Sequence, residues 1–217
     1  MKSREKIFLF GGSGHAKVVI DVIESMGEFQ VAFILDDDER MAGKTLFSYP
    51  IVGNRTELLR RFPSGRGIRG FVGVGNNAAR ESISAWLSNK GFDLVSVIHH
   101  RAYLGKGVKI GLGTTVMAGA IVHPDSEIGS GVIINTGSQV DHDCRVGDFT
   151  HLAPGSVLCG TVKVGSKCLL GAHSTILPGL EIGNDVVVGA GATVLKSIRA
   201  GDVVVGTPAK NMPRDRG

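Results

Sequence analysis

Several residue types are scarce in this chain of 217 residues, and each scarcity excludes a class of protein. The three cysteines are an odd number and form no CxxC pair, which indicates neither a disulfide framework nor a cysteine zinc site. Pro, at 7 residues, is too rare for a collagen-like chain, although Gly reaches 32. Aromatic residues make up only 6%. Abundant glycine with few aromatics favours a turn-rich β architecture over a helix bundle.

Excess charge and long apolar runs are missing as well. The formal net charge of +4 is spread over both halves, so no basic block suited to nucleic acid stands out. The charged N-terminus is followed by an apolar run at residues 7–10, which is too short for a signal peptide or a membrane span. With 42% hydrophobic residues the chain can bury a core. We therefore expect a soluble, cytoplasmic protein with no nucleic-acid partner and no membrane span.

An aliphatic residue recurs at every sixth position through the second half of the chain. Each position in the series is Leu, Ile or Val: Ile98, Leu104, Ile110, Val116, Val122, Ile128, Ile134, Val140, Val146, Leu152, Leu158, Val164, Leu170, Ile176, Ile182, Val188 and Val194. The residue two positions earlier is small or valine, except for Leu180. Because residues two apart in a strand point to the same side, each hexad sends one small and one aliphatic side chain inward. The period predicts a coil of short strands over residues 98–197.

Glycine directly follows the aliphatic residue in eight of these hexads: Gly105, Gly111, Gly129, Gly147, Gly165, Gly171, Gly183 and Gly189. We expect the chain to bend sharply or to adopt a positive φ there. The pattern resembles the hexapeptide-repeat acyltransferases, in which three hexads make one turn of a left-handed parallel β-helix. The left hand follows from the resemblance alone, since crossovers in general prefer the right hand. The same geometry stacks residues 18 apart at one strand spacing, about 4.8 Å.

The 18-residue rule gathers charged side chains at one corner of the predicted coil. His142 points outward, Asp141 stacks on His123, and Asp143 stacks on Asp125. Crowding of carboxylates and imidazoles shifts pKa values and is typical of functional sites. The alternative is a pair of surface ion pairs, Asp141 with His123 and Asp143 with His142, that stabilise the corner slightly.

Metal binding is a further alternative for these histidines. His123, His142, His151 and His173 do not follow the ligand spacing of the zinc enzymes of this fold, and no HxxxH-type pair is present. We expect no metal.

A narrower resemblance rests on four segments: Ile134-Asn135-Thr136, Asp141-His142-Asp143-Cys144, Gly147-Asp148-Phe149-Thr150-His151 and Val205-Gly206-Thr207-Pro208-Ala209-Lys210. They resemble the nucleotide-sugar N-acetyltransferases, the family that includes the bacillosamine-pathway enzyme, and their sialic acid O-acetyltransferase relatives. The resemblance implies acetyl-CoA as acetyl donor and a homotrimer whose acceptor site lies near a coil corner between two subunits.

The resemblance further implies that His142 is the general base and that Asp143 orients it, although Asp141 stays open for that role. An imidazole beside a carboxylate suits the removal of a proton from an attacking amine, and no acyl-enzyme is needed. Asn135 is a candidate donor to the oxyanion, together with backbone N–H groups of the glycine-rich corners. Cys144 occupies an inward position and is interpreted as core.

The acetyl-CoA side of the site is assigned by the same resemblance. His151 matches the family histidine near the thioester, and Ala172 and Ala190 match positions whose backbone lines the pantetheine arm. Basic residues cluster near the C-terminus and suit the phosphates of coenzyme A, with a solvated tail as the alternative: Lys196, Arg199, Lys210, Arg214 and Arg216.

The first half of the chain has the pattern of a nucleotide-binding βαβ unit. Residues 6–10 predict a buried strand, 11–14 a tight turn, 15–26 an amphipathic helix and 31–35 a second strand that ends in acidic residues. A glycine turn that opens a helix exposes N–H groups to phosphate. A dehydrogenase is disfavoured because Lys17 replaces the third glycine of the dinucleotide fingerprint, and residues 1–97 are too few for a full dinucleotide fold.

The turn sequence Gly11-Gly12-Ser13-Gly14-His15-Ala16-Lys17 resembles the N-terminal motif of the same family. The resemblance implies the following substrate-binding residues: Gly12, Ser13 and Gly14 at the pyrophosphate or sugar, Asp36 and Asp37 at the uridine, and Gly75 across the cleft. His15 either reaches the substrate or caps the turn.

Two domains are therefore expected: an α/β Rossmann-like domain over residues 1–97, and an all-β left-handed parallel β-helix with a C-terminal tail over residues 98–217. The leading hypothesis is acetyl transfer from acetyl-CoA to the 4-amino group of a UDP-linked amino-deoxy sugar in surface glycan synthesis. O-acetylation of sialic acid or a related sugar is the alternative within the family. A non-catalytic sugar-nucleotide-binding scaffold is the alternative from another class.

Overall fold

The computed structural model describes residues 4–212. The chain divides into two compact units, Met1–His100 and Arg101–Gly217. None of the helices within residues 4–212 is long and apolar enough to cross a membrane.

The N-terminal unit is a Rossmann-like α/β domain, as predicted. Its elements are β1 (Glu5–Phe10), α1 (Gly14–Met26), β2 (Phe29–Leu35), a 3-10 helix (Glu39–Met41), β3 (Thr45–Leu46), β4 (Tyr49–Gly53), α2 (Arg55–Arg61), β5 (Arg69–Val72), α3 (Asn77–Asn89) and β6 (Val97–Ile98). One sheet has the order β3-β4-β2-β1-β5, and its strands are parallel except for β3.

The apolar run that predicted the first strand is the centre of this unit. Residues 7–10 are at most 1% exposed, because β1 lies between β2 and β5 and is covered on both faces. Helix α1 buries Ala16, Val19, Ile20 and Ile23 along one face and ends at Gly27, which has a φ of 72°. The carboxyl ends of parallel strands meet at one edge of a sheet, so the turns after β1, β2 and β5 lie together.

The second unit is a parallel β-helix with three strands in each turn, which confirms the predicted repeat. Its strands are β7 (Tyr103–Leu104), β8 (Lys109–Ile110), β9 (Thr115–Val116), β10 (Ile121–Val122), β11 (Glu127–Ile128), β12 (Ile133–Ile134), β13 (Gln139–Val140), β14 (Arg145–Val146), β15 (His151–Leu152), β16 (Val157–Leu158), β17 (Lys163–Val164), β18 (Leu169–Leu170), β19 (Thr175–Ile176), β20 (Glu181–Ile182), β21 (Val187–Val188), β22 (Thr193–Val194), β23 (Val203–Val205) and β24 (Lys210–Asn211).

Strands three apart in sequence pair in parallel, with residues 18 apart opposite each other, as Val122 and Val140 are. The first face of the coil is the sheet β7-β10-β13-β16-β19-β22, and the second face is β8-β11-β14-β17-β20. The third face runs from β9 through β12, β15, β18 and β21 to β23 and β24. We call the bends that follow the first-face strands the first corner, and those that follow the third-face strands the third corner.

The interior of the coil is filled as the hexads predict. From Val116 to Val194 every aliphatic position of the series is at most 4% exposed. Four of the small polar side chains beside them bond to the backbone of the next coil, namely Thr114, Ser126, Ser138 and Thr150. Ser126 Oγ donates to the Asp141 carbonyl at 2.7 Å and accepts from Cys144 N at 3.1 Å. These bonds satisfy buried hydroxyl groups and add to the contacts between coils.

Of the two outcomes expected at the eight repeat glycines, a sharp bend or a positive φ, the positive φ does not occur. Positive φ lies two residues later, for example at Phe149 (56°) and Lys167 (60°). The eight glycines are explained by close stacking between coils: a Cβ on Gly147 would lie 2.6 Å from the main-chain carbon of Gly165. The constraint is the spacing between coils rather than the local backbone conformation.

Gly147→Ala is expected to lower the free energy of unfolding by about 1–3 kcal/mol, because the added Cβ overpacks the next coil. Urea unfolding followed by circular dichroism measures this change. As a control, Gly119→Asn is expected to cost at most about 1 kcal/mol, since asparagine tolerates the left-handed region. Gly119 has a φ of 69°, and the corner position of His173 has nearly the same backbone. Equal losses in the two variants would contradict the stacking explanation.

Candidate active site

The first corner carries a histidine bonded to a carboxylate. His142 Nδ1 lies 2.8 Å from Asp143 Oδ2, while the main-chain N–H of His142 donates to Asp141 Oδ1 at 2.8 Å. Asp143 therefore orients the ring and Asp141 fixes the backbone beneath it. With its proton on Nδ1, the neutral ring keeps Nε2 as an acceptor.

The electrostatics of this pair suit a base. The hydrogen bond to Asp143, and then the charge of Asp141, raise the pKa of His142 above its usual value. The side chains of His142 and Asp143 are 56% and 58% exposed, so the imidazole is open to a ligand. A raised pKa strengthens Nε2 as a proton acceptor at the pH where the ring is neutral.

Gly160 is a feature of this corner that sequence reasoning missed. It is buried and lies one coil beyond His142, and a Cβ on it would stand 2.7 Å from His142 Nε2. Glycine at this position leaves room for the imidazole. Among the described residues, no acceptor binds the N–H of Gly160. Adding 18 to 142 points to this residue, so the repeat contained the signal.

The third corner holds a second pair of predicted residues. Asn135 Nδ2 lies 3.0 Å from His151 Nε2, and Asn135 Oδ1 accepts from Thr136 N at 2.8 Å. Strand β13 separates Asn135 from His142, because Asn135 follows β12 and His142 follows β13. The chain therefore brings the predicted residues together as two pairs, at two different corners of the coil.

Ala172 and Ala190 continue the third corner toward the C-terminus. They lie one coil apart, and within residues 4–212 neither main-chain N–H meets an acceptor. Both side chains are small and at least partly exposed. The corner therefore presents a shallow track with open N–H groups.

An apolar column at the first corner was also missed by sequence reasoning. Cys159, Leu177 and Leu195 follow Asp141 at intervals of one coil, and Leu177 and Leu195 are 36% and 48% exposed. Two strand spacings separate Cys159 from Leu195, so the column is about 10 Å long. The sequence repeat did not predict a binding site here, because only the folded structure shows that these leucines are exposed.

The column ends at a cavity of about 610 Å³ in the last coils. Leu195 lines the cavity, together with the three cationic residues Lys196, Arg199 and Lys210. The other two basic residues predicted for this role, Arg214 and Arg216, lie outside the described residues. Asp202 also lines the cavity, so three cations face one carboxylate and the end keeps a net positive charge. The apolar column and this positive end suit a thiol arm that ends in phosphates.

The cysteines of this region are poor nucleophiles. Burial raises the pKa of Cys144 to about 11. Burial and the nearby charge of Asp141 raise the pKa of Cys159 as well. Both thiols stay protonated at neutral pH, which argues against an acyl-cysteine route.

In the N-terminal unit, the glycine turn after β1 is tied to the end of β2. Gly12 N donates to Asp36 Oδ2 at 2.7 Å, and Asp36 Oδ1 accepts from Asp38 N at 2.9 Å. Ser13 is the N-cap of α1 and makes no side-chain cap, and Gly14 begins the helix. The first turn of α1 carries no acidic residue, so its positive end suits an anion.

The other predicted nucleotide residues lie around this turn. The ring of His15 faces Gly75, since a Cβ on Gly75 would be 3.8 Å from His15 Cγ. Burial, and then the charge of Arg80, lower the pKa of His15 to about 4, so the imidazole is neutral. Asp37 Oδ2 pairs with Arg55 at 2.9 Å. Arg55 was missed by sequence reasoning and lies 5.0 Å from the ring of Trp86.

In the described part of the chain, no group of three His, Cys, Asp or Glu side chains could hold a metal ion. The observed features are a Rossmann-like unit with an open helix N-terminus and a hexapeptide β-helix with a carboxylate-oriented histidine. Together they define a hexapeptide-repeat acyltransferase with a nucleotide-binding type of N-terminal domain.

Comparison with known proteins narrows this class. Residues 6–87 match the PglD N-terminal domain, and residues 161–196 match the bacterial transferase hexapeptide (six repeats). A variant of perosamine N-acetyltransferase from Caulobacter crescentus, crystallised with CoA and GDP-perosamine, is 38% identical over 98% of each chain, with a TM-score of 0.89. The acetyltransferase domain of PglB from Neisseria gonorrhoeae, in complex with acetyl coenzyme A, is 33% identical over 97% of this chain and 100% of that domain, with a TM-score of 0.89.

A curated relative, UDP-N-acetylbacillosamine N-acetyltransferase from Bacillus subtilis, is 34% identical over 116 residues. The match spans 52% of this chain and 52% of that relative, about half the length of each. With the full-length structural matches, the chain belongs to the family of acetyl-CoA-dependent nucleotide-sugar N-acetyltransferases, whose β-helix is left-handed.

Asp143→Asn is expected to lower the pKa of His142, because the bond from Asp143 is the largest cause of its rise. NMR titration of the labelled imidazole measures this directly. The control is Asp125→Asn, which removes a carboxylate from the same corner without touching the bond to His142. An unchanged pKa of His142 in Asp143→Asn would contradict the assignment of Asp143 as its partner.

Proposed function

We propose that the protein transfers the acetyl group of acetyl-CoA to the 4-amino group of a UDP-linked amino-deoxy sugar. The observation that carries the proposal is the 2.8 Å contact between His142 Nδ1 and Asp143, on an exposed corner with Nε2 facing outward over Gly160. Catalysis is by a general base and direct attack, with no acyl-enzyme.

Acetyl-CoA supplies an activated thioester carbonyl. His142 Nε2 accepts a proton from the amine as nitrogen attacks that carbonyl, and Asp143 stabilises the imidazolium that forms. The imidazolium then returns the proton to the departing thiolate. The N–H of Gly160 and the second amide hydrogen of Asn135 are the donors that we propose for the oxyanion.

The donor side of the proposal uses both corners. The column of Cys159, Leu177 and Leu195 fits the pantetheine arm, and the cavity with Lys196, Arg199 and Lys210 fits the phosphates. The facing wall is made by His151, Ala172 and Ala190 of a neighbouring copy of the chain.

We propose a homotrimer with active sites between subunits, and the separation of the two pairs supports it. Asn135 and His151 lie at a different corner from His142, and a second copy can bring the groups together. The polarity of the faces supports this arrangement. The second face is a charged ladder in which Lys109 bonds to Glu127 and Lys163 bonds to Glu181, each at 2.8 Å. The outward positions of the other two faces include Ile121, Val157, Leu169 and Val187, which suit burial between subunits.

In the N-terminal unit, we assign Gly12, Ser13 and Gly14 to the pyrophosphate and sugar, because the helix end there is uncapped. His15 and Gly75 line the same turn region, and Asp36 and Asp37 lie toward the base.

A GDP-linked 4-amino sugar is the second candidate substrate, favoured by the perosamine enzyme, whose structure contains GDP-perosamine. We place the enzyme in the cytoplasm, where acetyl-CoA and nucleotide sugars are made, and in surface glycan synthesis.

The test is thiol release from acetyl-CoA with a UDP-4-amino-4,6-dideoxy sugar, a GDP-4-amino sugar and free sialic acid. We expect turnover on the UDP sugar, and a loss of about 10²–10⁴-fold in His142→Ala because the base is removed. His123→Ala, another histidine of the first corner, is the matched control and keeps its activity.

Each other result has a defined meaning. Preference for the GDP sugar would replace UDP in the proposal, and turnover on sialic acid alone would establish the O-acetyl alternative. A His142→Ala variant as active as wild type would refute the base, and silence on all three substrates would favour a non-catalytic scaffold.

A further inference from the structure

Arg80 is a fully buried cation beside the glycine turn that follows β5. It lies in α3 and is 1% exposed. Its Nη1 donates to the carbonyls of Val74 and Gly75, each at 3.1 Å, and its Nη2 donates to Asn77 Oδ1 at 2.9 Å. One side chain thereby bonds to two carbonyls of the turn and to the side chain of the first residue of α3.

Burying a cation in this way costs free energy. Burial lowers the pKa of Arg80 to about 10, so the group still carries its charge at neutral pH inside the unit. A buried charge is expensive compared with an apolar residue of similar size. The planar guanidinium, however, fixes several acceptors at set angles, which a flexible glycine-containing turn cannot do by itself.

The turn that Arg80 holds packs against the nucleotide-type turn after β1. Gly73 N donates to the Phe10 carbonyl at 2.8 Å, and a Cβ on Gly11 would lie 2.9 Å from the Gly73 carbonyl oxygen. At the end of the turn, Gly75 faces the ring of His15. Arg80 thus bonds to the turn that faces His15 and the turn after β1.

We propose that Arg80 is a positioning residue of the sugar-nucleotide site: it fixes the turn at residues 73–76 against His15, so that both walls are set before substrate binds. The proposal rests on the proposed function, because it takes the cleft to be the sugar-nucleotide site. The state of His15 agrees with it: burial, and then the charge of Arg80, keep the imidazole neutral, and a neutral imidazole can accept a hydrogen bond from a sugar hydroxyl or donate one to a phosphate.

The test compares Arg80→Met with Arg60→Met in the full chain. Arg60 is an exposed arginine of the same unit, with 70% of its side chain accessible, and serves as the matched control. In Arg80→Met we expect the KM for the sugar nucleotide to rise at least tenfold, while the KM for acetyl-CoA stays within twofold. Arg80→Lys is expected to fall between, since an ammonium cannot hold all three acceptors. A sugar-nucleotide KM equal to that of Arg60→Met would overturn the proposal.

Two further measurements cover the case in which Arg80→Met does not fold and the case in which the wild type is inactive. If Arg80→Met does not fold, Asn77→Ala removes one acceptor of the same fork. A rise in the sugar-nucleotide KM then supports the proposal, and no rise overturns it. If wild type acetylates no amino-sugar nucleotide, the proposed function fails, and NMR titration of His15 judges the placement of Arg80. A pKa of His15 that rises in Arg80→Met, which removes the cation, or in Asn77→Ala, which frees one end of it, supports the placement, and an unmoved pKa in both overturns it.

Discussion

The stacking of residues 18 apart, at a single strand spacing, is the constraint on which the second unit depends. It requires an aliphatic residue at one inward position of each hexad, and a glycine where a Cβ would overlap the main chain of the next coil. Because the strands are held by backbone bonds between coils, outward side chains at the corners are left to serve function. His142 and Gly160 occupy successive places in one such column, and the smaller residue makes room for the ring.

The same constraint keeps the two pairs of candidate catalytic residues apart on one chain. A corner side chain can be placed accurately along the coil, but a corner cannot bend round to meet another one. His142 with Asp143, and Asn135 with His151, are therefore two rigid pairs on one chain. The proposed trimer turns this limitation into an active site, because the corner of one copy can face that of the next. A rigid scaffold of this kind holds reacting groups in position without an induced change of shape.

Much of this was accessible from sequence, for physical reasons. The six-residue period predicts the coil, and the adjacency of His142 and Asp143 predicts their bond. Sequence alone did not separate a positive φ at the repeat glycines, which does not occur, from a close approach between coils, because both favour glycine. Arg80 was not predicted at all, since helix α3 was not assigned and the burial of a cation depends on tertiary packing. The role of Leu195 likewise required the folded corner.

The central claim is that the active site is assembled from half-sites of different copies. Mixed oligomers of differently tagged His142→Ala and Asn135→Ala chains test it most directly, with acetyl transfer as the readout. The account predicts that two weak parents give mixed trimers with about a third of the wild-type sites, because one interface in three of each mixed trimer pairs an intact His142 with an intact Asn135. Mixed oligomers no more active than their parents would contradict the account, since each chain would then complete its own site.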